Sequence, residues 1–206
     1  MAVSVAGLAG CESAGIVVRE QLGYEKREQL VDRVESARDE QQDAKEQFAT
    51  TLEEFKSLTD FDGGDLEKTY NRLSRELKRS EDAASDVGRR IDAVEAVGDR
   101  LFSEWNRELD EYTSAELRRA SEDQLRATQS QYDALLSAMR RAESRMAPVL
   151  ASFNEQVLFL KHNLNARAIA SLESTTLRLE NEIDRLVAEM EASIAEADAF
   201  IQDLRS

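Results

Sequence analysis

The chain of 206 residues has very few of the residues that build catalytic, metal or disulfide sites: one cysteine, one histidine, one proline and one tryptophan. A single cysteine excludes any disulfide within the chain. One histidine and one cysteine also fall short of the four ligands of a closed zinc site. A carboxylate di-iron bundle needs two Glu-x-x-His pairs, and Phe159 occupies the position three residues before His162. We therefore expect no metal and no cofactor.

Positive charge is scarce as well, because 27 lysines and arginines stand against 42 acidic residues and give a formal net charge of -15. Nucleic-acid binding needs a cationic face that displaces counterions from phosphate. The arginine pairs of this chain alternate with acids, as on a solvated helix face. We expect no nucleic-acid partner. Charges also interrupt every apolar run before the roughly 18 residues of a transmembrane helix.

Motifs of enzyme chemistry are missing too. A Ser-His-Asp triad would have to use His162, and no glycine-flanked serine supplies a nucleophile elbow. The Gly63-Gly64 pair is too short for a phosphate-binding loop. The aspartates around it lack the terminal glutamate of a calcium loop. The expectation is that this protein is not an enzyme.

Near its N-terminus the chain contains a candidate lipid anchor. Leu8-Ala9-Gly10-Cys11 resembles the cleavage site of bacterial lipoprotein signals, in which small residues precede the cysteine that becomes lipidated. Residues 1–11 are then the remnant of a signal whose basic start lies upstream. Acyl chains on Cys11 would hold the protein firmly on a membrane, since each buried methylene contributes about 0.8 kcal/mol.

The residue after the cysteine indicates the membrane to which a lipoprotein is sorted. It is Glu12 and not aspartate. By resemblance to the sorting rule of Gram-negative lipoproteins, this favours the outer membrane over retention at the inner membrane. The expected location is therefore the outer membrane, with the protein facing the periplasm.

The remaining residues predict long helices, because few glycines and one proline accompany many helix formers. Apolar residues recur in steps of four and three, which is the spacing of a coiled-coil seam. In the first helix these are Leu30, Val34, Ala37, Ala44, Phe48, Phe55 and Leu58. Three short connections between four such helices predict an all-α, elongated antiparallel four-helix bundle or coiled coil behind a short lipidated N-terminal segment. Residues 12–23 are expected to form a tether weakened by two glycines, and residues 24–206 a single bundle domain.

Individual residues indicate where two of the helices begin and where one of them bends. Thr113 with Glu116 forms a capping box that starts the third helix. Pro148 predicts a kink inside that helix. Asn165 is the expected N-cap of the fourth helix.

Several stretches at the turns and in the tail resemble one bacterial family. They are Leu30-Val31-Asp32-Arg33-Val34, Phe61-Asp62-Gly63-Gly64-Asp65-Leu66, Leu160-Lys161-His162-Asn163-Leu164-Asn165-Ala166 and Ile194-Ala195-Glu196-Ala197-Asp198-Ala199-Phe200-Ile201. The family is known as domain of unknown function 2959, and the resemblance covers nearly the whole chain after Cys11. Its members often look like lipoproteins, which agrees with the anchor. The resemblance implies no activity.

Two regions are candidate contact sites. If the first helix begins near Tyr24 and lies opposite about Asp99, and if the fourth helix runs out opposite about Gln124, the second hairpin overhangs both neighbours by roughly 15–20 Å. That overhang, from about Arg100 to Asp123, carries Phe102, Trp105, Leu109 and Tyr112. Either the segment from about Ile16 to Leu22 folds back over this apolar set, or a partner or the nearby membrane covers it. We favour an interaction site, because exposed aromatic sets of this kind mark such sites and two glycines make the covering segment a poor helix. The other region is a distal tip made of two turns with Phe61, Asp62, Lys161 and His162.

Two functions of different classes follow. The first is a membrane-anchored interaction or scaffold module of the cell envelope, with an envelope protein as partner. The second is a small-ligand carrier or enzyme that uses a polar cavity inside the bundle. The polar seam residues that would line such a cavity are Gln41, Thr51, Ser80, Thr128 and Thr176. Isolated polar seam positions more often set helix register.

Overall fold

The computed structural model describes the backbone of residues 11–59, 66–163, 169 and 172–205 and the side chains of 25–58, 66–163, 169, 172 and 175–205. Within these ranges the chain forms four α-helices and no strand. They are α1 Cys11–Thr59, α2 Leu66–Glu108, α3 Ala115–His162 and α4 Glu173–Arg205. A short 3₁₀ turn, Leu109–Glu111, joins α2 to α3. The predicted all-α class is confirmed.

The helices pack as an antiparallel bundle in which α1 and α3 each contact both α2 and α4. Ion pairs fix the direction of α4 against α1. Lys56, near the end of α1, lies 2.6 Å from Glu180 near the start of α4, and Arg205 lies 2.9 Å from Glu35. The end of α1, the start of α2, the end of α3 and the start of α4 therefore share one end of the bundle.

The core is the seam that the sequence predicts. Side chains at steps of four and three face inward because that spacing keeps one stripe of each helix toward its neighbours. Phe48, Phe55 and Phe153 are fully buried, and the rings of Phe55 and Phe153 meet edge to face at 6.0 Å between centroids. Burial of this stripe, and not helix propensity alone, holds long helices together.

Two helix starts differ from the expectation. α1 begins at Cys11, so residues 12–23 are helical although two glycines, each costing about 1 kcal/mol in a helix, lie among them. The other residues of this segment include helix formers such as Arg19, Glu20 and Gln21, which outweigh the glycines. A role of this segment as a tether stays a prediction.

At the start of α3 the N-cap is Ser114 and not Thr113, because the Ser114 hydroxyl accepts a hydrogen bond from the Leu117 backbone N–H at 3.4 Å. That bond to the third helical residue is the ordinary N-cap contact, which serine makes at least as well as threonine. Farther on, α3 continues as one helix through Pro148, which is exposed. Asn165 and the turn at residues 60–65 lie outside the described residues.

Candidate functional site

The described part of α4 does not reach the turn between α2 and α3. Its Phe200 packs against Tyr132 of α3, with ring centroids 6.2 Å apart, and the described helix extends only about one turn farther, to Arg205. The hairpin between residues 106 and 123 therefore extends past the described part of α4.

The prediction that the second hairpin also extends past α1 is wrong. Lys26 of α1 contacts the Glu104 carboxylate, and the Arg27 guanidinium carbon lies 5.6 Å from the centroid of the Trp105 ring. These contacts place α1 farther along the hairpin than the expected match of Tyr24 with Asp99. Because α1 also starts at Cys11, this end of the bundle has three helices and not two.

Of the four residues expected to form an exposed patch here, Phe102 and Leu109 are buried, with 7% and 5% of their surface accessible. Phe102 packs on the Tyr132 ring at 5.1 Å, and the 3₁₀ turn that contains Leu109 contacts both α2 and α3. Trp105 is half-buried, and its Nε1–H donates to Ser121 Oγ at 2.9 Å. Tyr112 is exposed. The expected exposure holds for Tyr112 alone, and a contact role for the four residues stays a prediction.

Tyr132 lies near the end of the part of the bundle in which all four helices pack together. Its ring lies between Phe102 of α2 and Phe200 of α4, and its hydroxyl donates to the carbonyl of Val94 at 3.4 Å. Burial, with a smaller contribution from nearby acids such as Asp99, raises the pKa of this phenol well above its ordinary value. A Cβ on Gly98 would lie 2.4 Å from the ring, so this glycine makes room for the tyrosine.

The polar seam residues pair between helices. Ser193 Oγ of α4 donates to Gln41 Oε1 of α1 at 2.8 Å, while the buried Gln41 Nε2 has no hydrogen-bond partner. Thr51 and Ser80 join α1 to α2 through their hydroxyl oxygens at 2.8 Å. The Thr51 hydroxyl also lies 3.2 Å from the Glu76 carbonyl oxygen.

The other two polar seam residues bond to residues four positions away along the chain. Thr128 accepts from Gln124 Nε2 at 3.3 Å, and Thr176 donates to the Leu172 carbonyl at 3.1 Å. Gln41 and Thr51 are themselves about 15 Å apart along α1. Only Thr51 and Ser80 among the five therefore meet, and the five residues do not converge on one cavity.

Ionic contacts cover the outside of the bundle. Arg140 of α3 bonds Asp92 and Glu95 of α2 at 2.7 Å and 2.5 Å, and Glu143 of its own helix at 2.9 Å. Burial lowers the pKa of this guanidinium, but the three carboxylates outweigh burial and raise it overall. Exposed pairs of this kind each contribute little to stability.

At the distal end, Lys161 and His162 are exposed in the last turn of α3. The Lys161 ammonium in this place interacts favourably with the helix dipole. Asn163 ends the helix, and its side-chain amide donates to the Phe159 carbonyl at 3.0 Å. Phe61 and Asp62 lie outside the described residues. The end of α1 and the start of α2, which flank them, lie at the same end of the bundle as Lys161 and His162, as the up-down topology predicts.

The described residues hold no cluster of three or more His, Cys, Asp or Glu side chains that could bind a metal ion. Over the same residues, no helix combines the length and the apolar character of a membrane span. An open groove of about 270 Å³ lies between α3 and α4 beside Ala134, Ala199 and Phe200. A second groove of similar size lies at the base of the hairpin beside Leu109 and Leu125.

Sequence reasoning missed three partners of these residues: Ser193 for Gln41, Arg27 for Trp105 and Tyr132 for Gly98. The seam pattern shows that Ser193 faces inward, since it lies at heptad spacing from Leu186 and Ala197. No signal along one helix shows which residue of another helix lies opposite. These pairs depend on the register between helices.

Fold and contacts define an elongated, all-helical protein whose buried polar groups join helices. The family model described as protein of unknown function (DUF2959) matches residues 17–204, so the chain belongs to this family. That assignment confirms the resemblance seen in the sequence. Neither the curated proteins nor the solved structures include a match to this chain.

Proposed function

We propose that this protein is a lipid-anchored scaffold of the bacterial cell envelope: a helical rod held by Cys11 in the outer membrane, facing the periplasm and binding an envelope protein. It is not an enzyme in this proposal. The observation that supports the scaffold role is that the polar seam residues do not gather at one place. They form hydrogen bonds between helices or along the chain, at different levels of the bundle.

A small-molecule site needs a concave pocket with several convergent polar groups. Gln41 with Ser193 and Thr51 with Ser80 form two isolated pairs about 15 Å apart, so neither supplies such a set. Both pairs join α1 to a neighbour and favour one helix register over shifted alternatives. This favours a binding module over the carrier or enzyme.

The anchor rests on the small residues before Cys11. Cys11 is also the first described residue of α1, and the helix extends about 72 Å from there to Thr59. A lipid on Cys11 would hold the bundle at one end. The remaining length would extend from the membrane, with a side surface of mixed charge available to a partner.

Fractionation of the source bacterium tests the anchor. The natural gene should place the protein in the membrane fraction, and Cys11→Ala should release it or leave it unprocessed. Ser13→Ala is the matched control, because it changes a neighbouring small residue outside the cleavage site. Processing and membrane association of Cys11→Ala that both equal those of the control would overturn the anchor.

Photo-crosslinking in intact cells tests the scaffold. A photoreactive residue replaces Tyr112 at the hairpin end, His162 at the distal end, or Arg89 at the middle of α2, all of which are exposed. The scaffold predicts a discrete adduct with one envelope protein from at least one position. Absence of any adduct from all three, together with turnover of a small molecule by the purified protein, would favour the enzyme.

A further inference from the structure

The proposed anchor determines which end of the bundle faces the membrane, and the contacts of α1 show what else lies at that end. Lys26 contacts Glu104, and Arg27 lies over Trp105. Residue 26 of α1 is therefore level with residue 104 of α2. From this level, α1 runs toward Cys11 while α2 runs toward the hairpin turn.

The two paths have different lengths. From Lys26 back to Cys11, α1 covers about 22 Å at 1.5 Å per residue. From Glu104 to Tyr112, the end of α2 and the 3₁₀ turn cover about 12 Å. Measured along the bundle, the hairpin end therefore lies about 10 Å short of Cys11.

The hairpin end carries two exposed apolar side chains close to the level of Cys11. Tyr112 and Leu117 are 42% and 59% exposed. Residues 107–119 contain three arginines and four acids, which is a net charge of -1 and about the same charge per residue as the -15 of the whole chain. A single net negative charge is repelled only weakly by anionic lipid.

We propose that this hairpin end, with Tyr112 and Leu117, is a second membrane contact that enters the headgroup layer beside the Cys11 anchor. The inference rests on the proposed anchor. Each headgroup layer is roughly 5–8 Å thick, so a lipid on Cys11 brings the hairpin end to within the reach of a tyrosine side chain. Tyrosine is enriched at this depth because its ring is apolar and its hydroxyl is polar. Contact at two points fixes the orientation of the rod, which a lipid alone does not.

The test uses the full chain coupled through the thiol of Cys11, the only cysteine, to a maleimide lipid in phosphatidylcholine vesicles. Trp105→Phe removes the only tryptophan, and Tyr112→Trp or Leu117→Trp then introduces a single fluorescent reporter. Phe159→Trp is the matched control. Phe159 is 41% exposed, almost the same as Tyr112, and lies in the last turns of α3 at the far end, about 70 Å from Cys11.

Membrane contact predicts a blue shift on coupling and loss of emission with brominated phosphatidylcholine for the reporters at positions 112 and 117. The reporter at position 159 should show neither change. Equal behaviour at the three positions would overturn the contact and leave the hairpin end to a protein partner. Circular dichroism of each variant checks that the helices remain.

This experiment is independent of cellular acylation, because the coupling supplies the lipid chemically. Failure of the fractionation experiment with Cys11→Ala would remove the anchor in cells. Failure of the vesicle experiment would remove only the contact of the hairpin end.

Discussion

Gly98→Ala is expected to destabilise the protein although alanine is the better helix former. In a helix interior this change ordinarily raises the free energy of unfolding by about 0.5–1 kcal/mol. Here the added Cβ would lie 2.4 Å from Cζ and Oη of Tyr132. The ring is 3% exposed and packed between Phe102 and Phe200, so it has no space to move into. Overpacking of a core costs about 1–3 kcal/mol, and we expect a net loss of about 1–2 kcal/mol.

Gly88→Ala on the same helix is the matched control. Its Cβ would lie 2.8 Å from Oε1 of Glu143, the far end of a flexible side chain, and 3.8 Å from the next atom. The carboxylate can shift at little cost. We therefore expect Gly88→Ala to stabilise the protein by about 0.5 kcal/mol through helix propensity alone.

Urea unfolding followed by circular dichroism measures both changes, and a loss of 1 kcal/mol corresponds to about 2–4 °C in melting temperature for a chain of this size. In a Tyr132→Leu background the ring is gone, so Gly98→Ala should cost nothing or stabilise. Stabilisation by Gly98→Ala in the unchanged protein, equal to that by Gly88→Ala, would refute the register of α2 and α3 that places Tyr132 against Gly98.

Three further predictions use the same unfolding assay or cell fractionation. Leu135→Ala should cost about 2–5 kcal/mol, since this seam residue is fully buried, and a loss near zero would contradict the assignment of the seam. Tyr132 has a raised pKa in the folded state, so its contribution to stability is complete below the unfolded pKa of about 10 and is lost as the pH rises above it. Tyr132→Phe should accordingly lose less stability than the unchanged protein between about pH 9 and 11, and an identical loss would contradict the burial of this hydroxyl. Glu12→Asp should move the protein from the outer to the inner membrane, whereas Glu12→Gln should not, and unchanged sorting would contradict the assigned destination.

The fold was predictable because one rule, apolar residues in alternating steps of four and three, holds along all four helices. Burial of Phe48, Leu135 and Leu186 follows from that rule without any knowledge of neighbours. Helix starts were less predictable. Residues 12–23 contain two glycines and still continue α1, and Ser114 replaces its neighbour as N-cap, because small differences in propensity decide such positions.

Contacts between helices could not be predicted. The contact of Gly98 with Tyr132 requires α2 and α3 in one register, and the position of Arg27 over Trp105 requires α1 and α2 in another. A shift of one turn in either pair would leave both sequence patterns unchanged. For the same reason, the sequence indicates an apolar hairpin end but not that Phe102 and Leu109 are buried within it.

The mass of the peptide that contains Cys11, isolated from the membrane fraction of the cells that make this protein, decides whether Cys11 carries a lipid anchor. We expect this peptide to begin at Cys11 and to carry a diacylglyceryl group on Sγ, with its mass increased by the acyl chains. A peptide in which Gly10 still precedes an unmodified Cys11 would show that Cys11 is not the anchor.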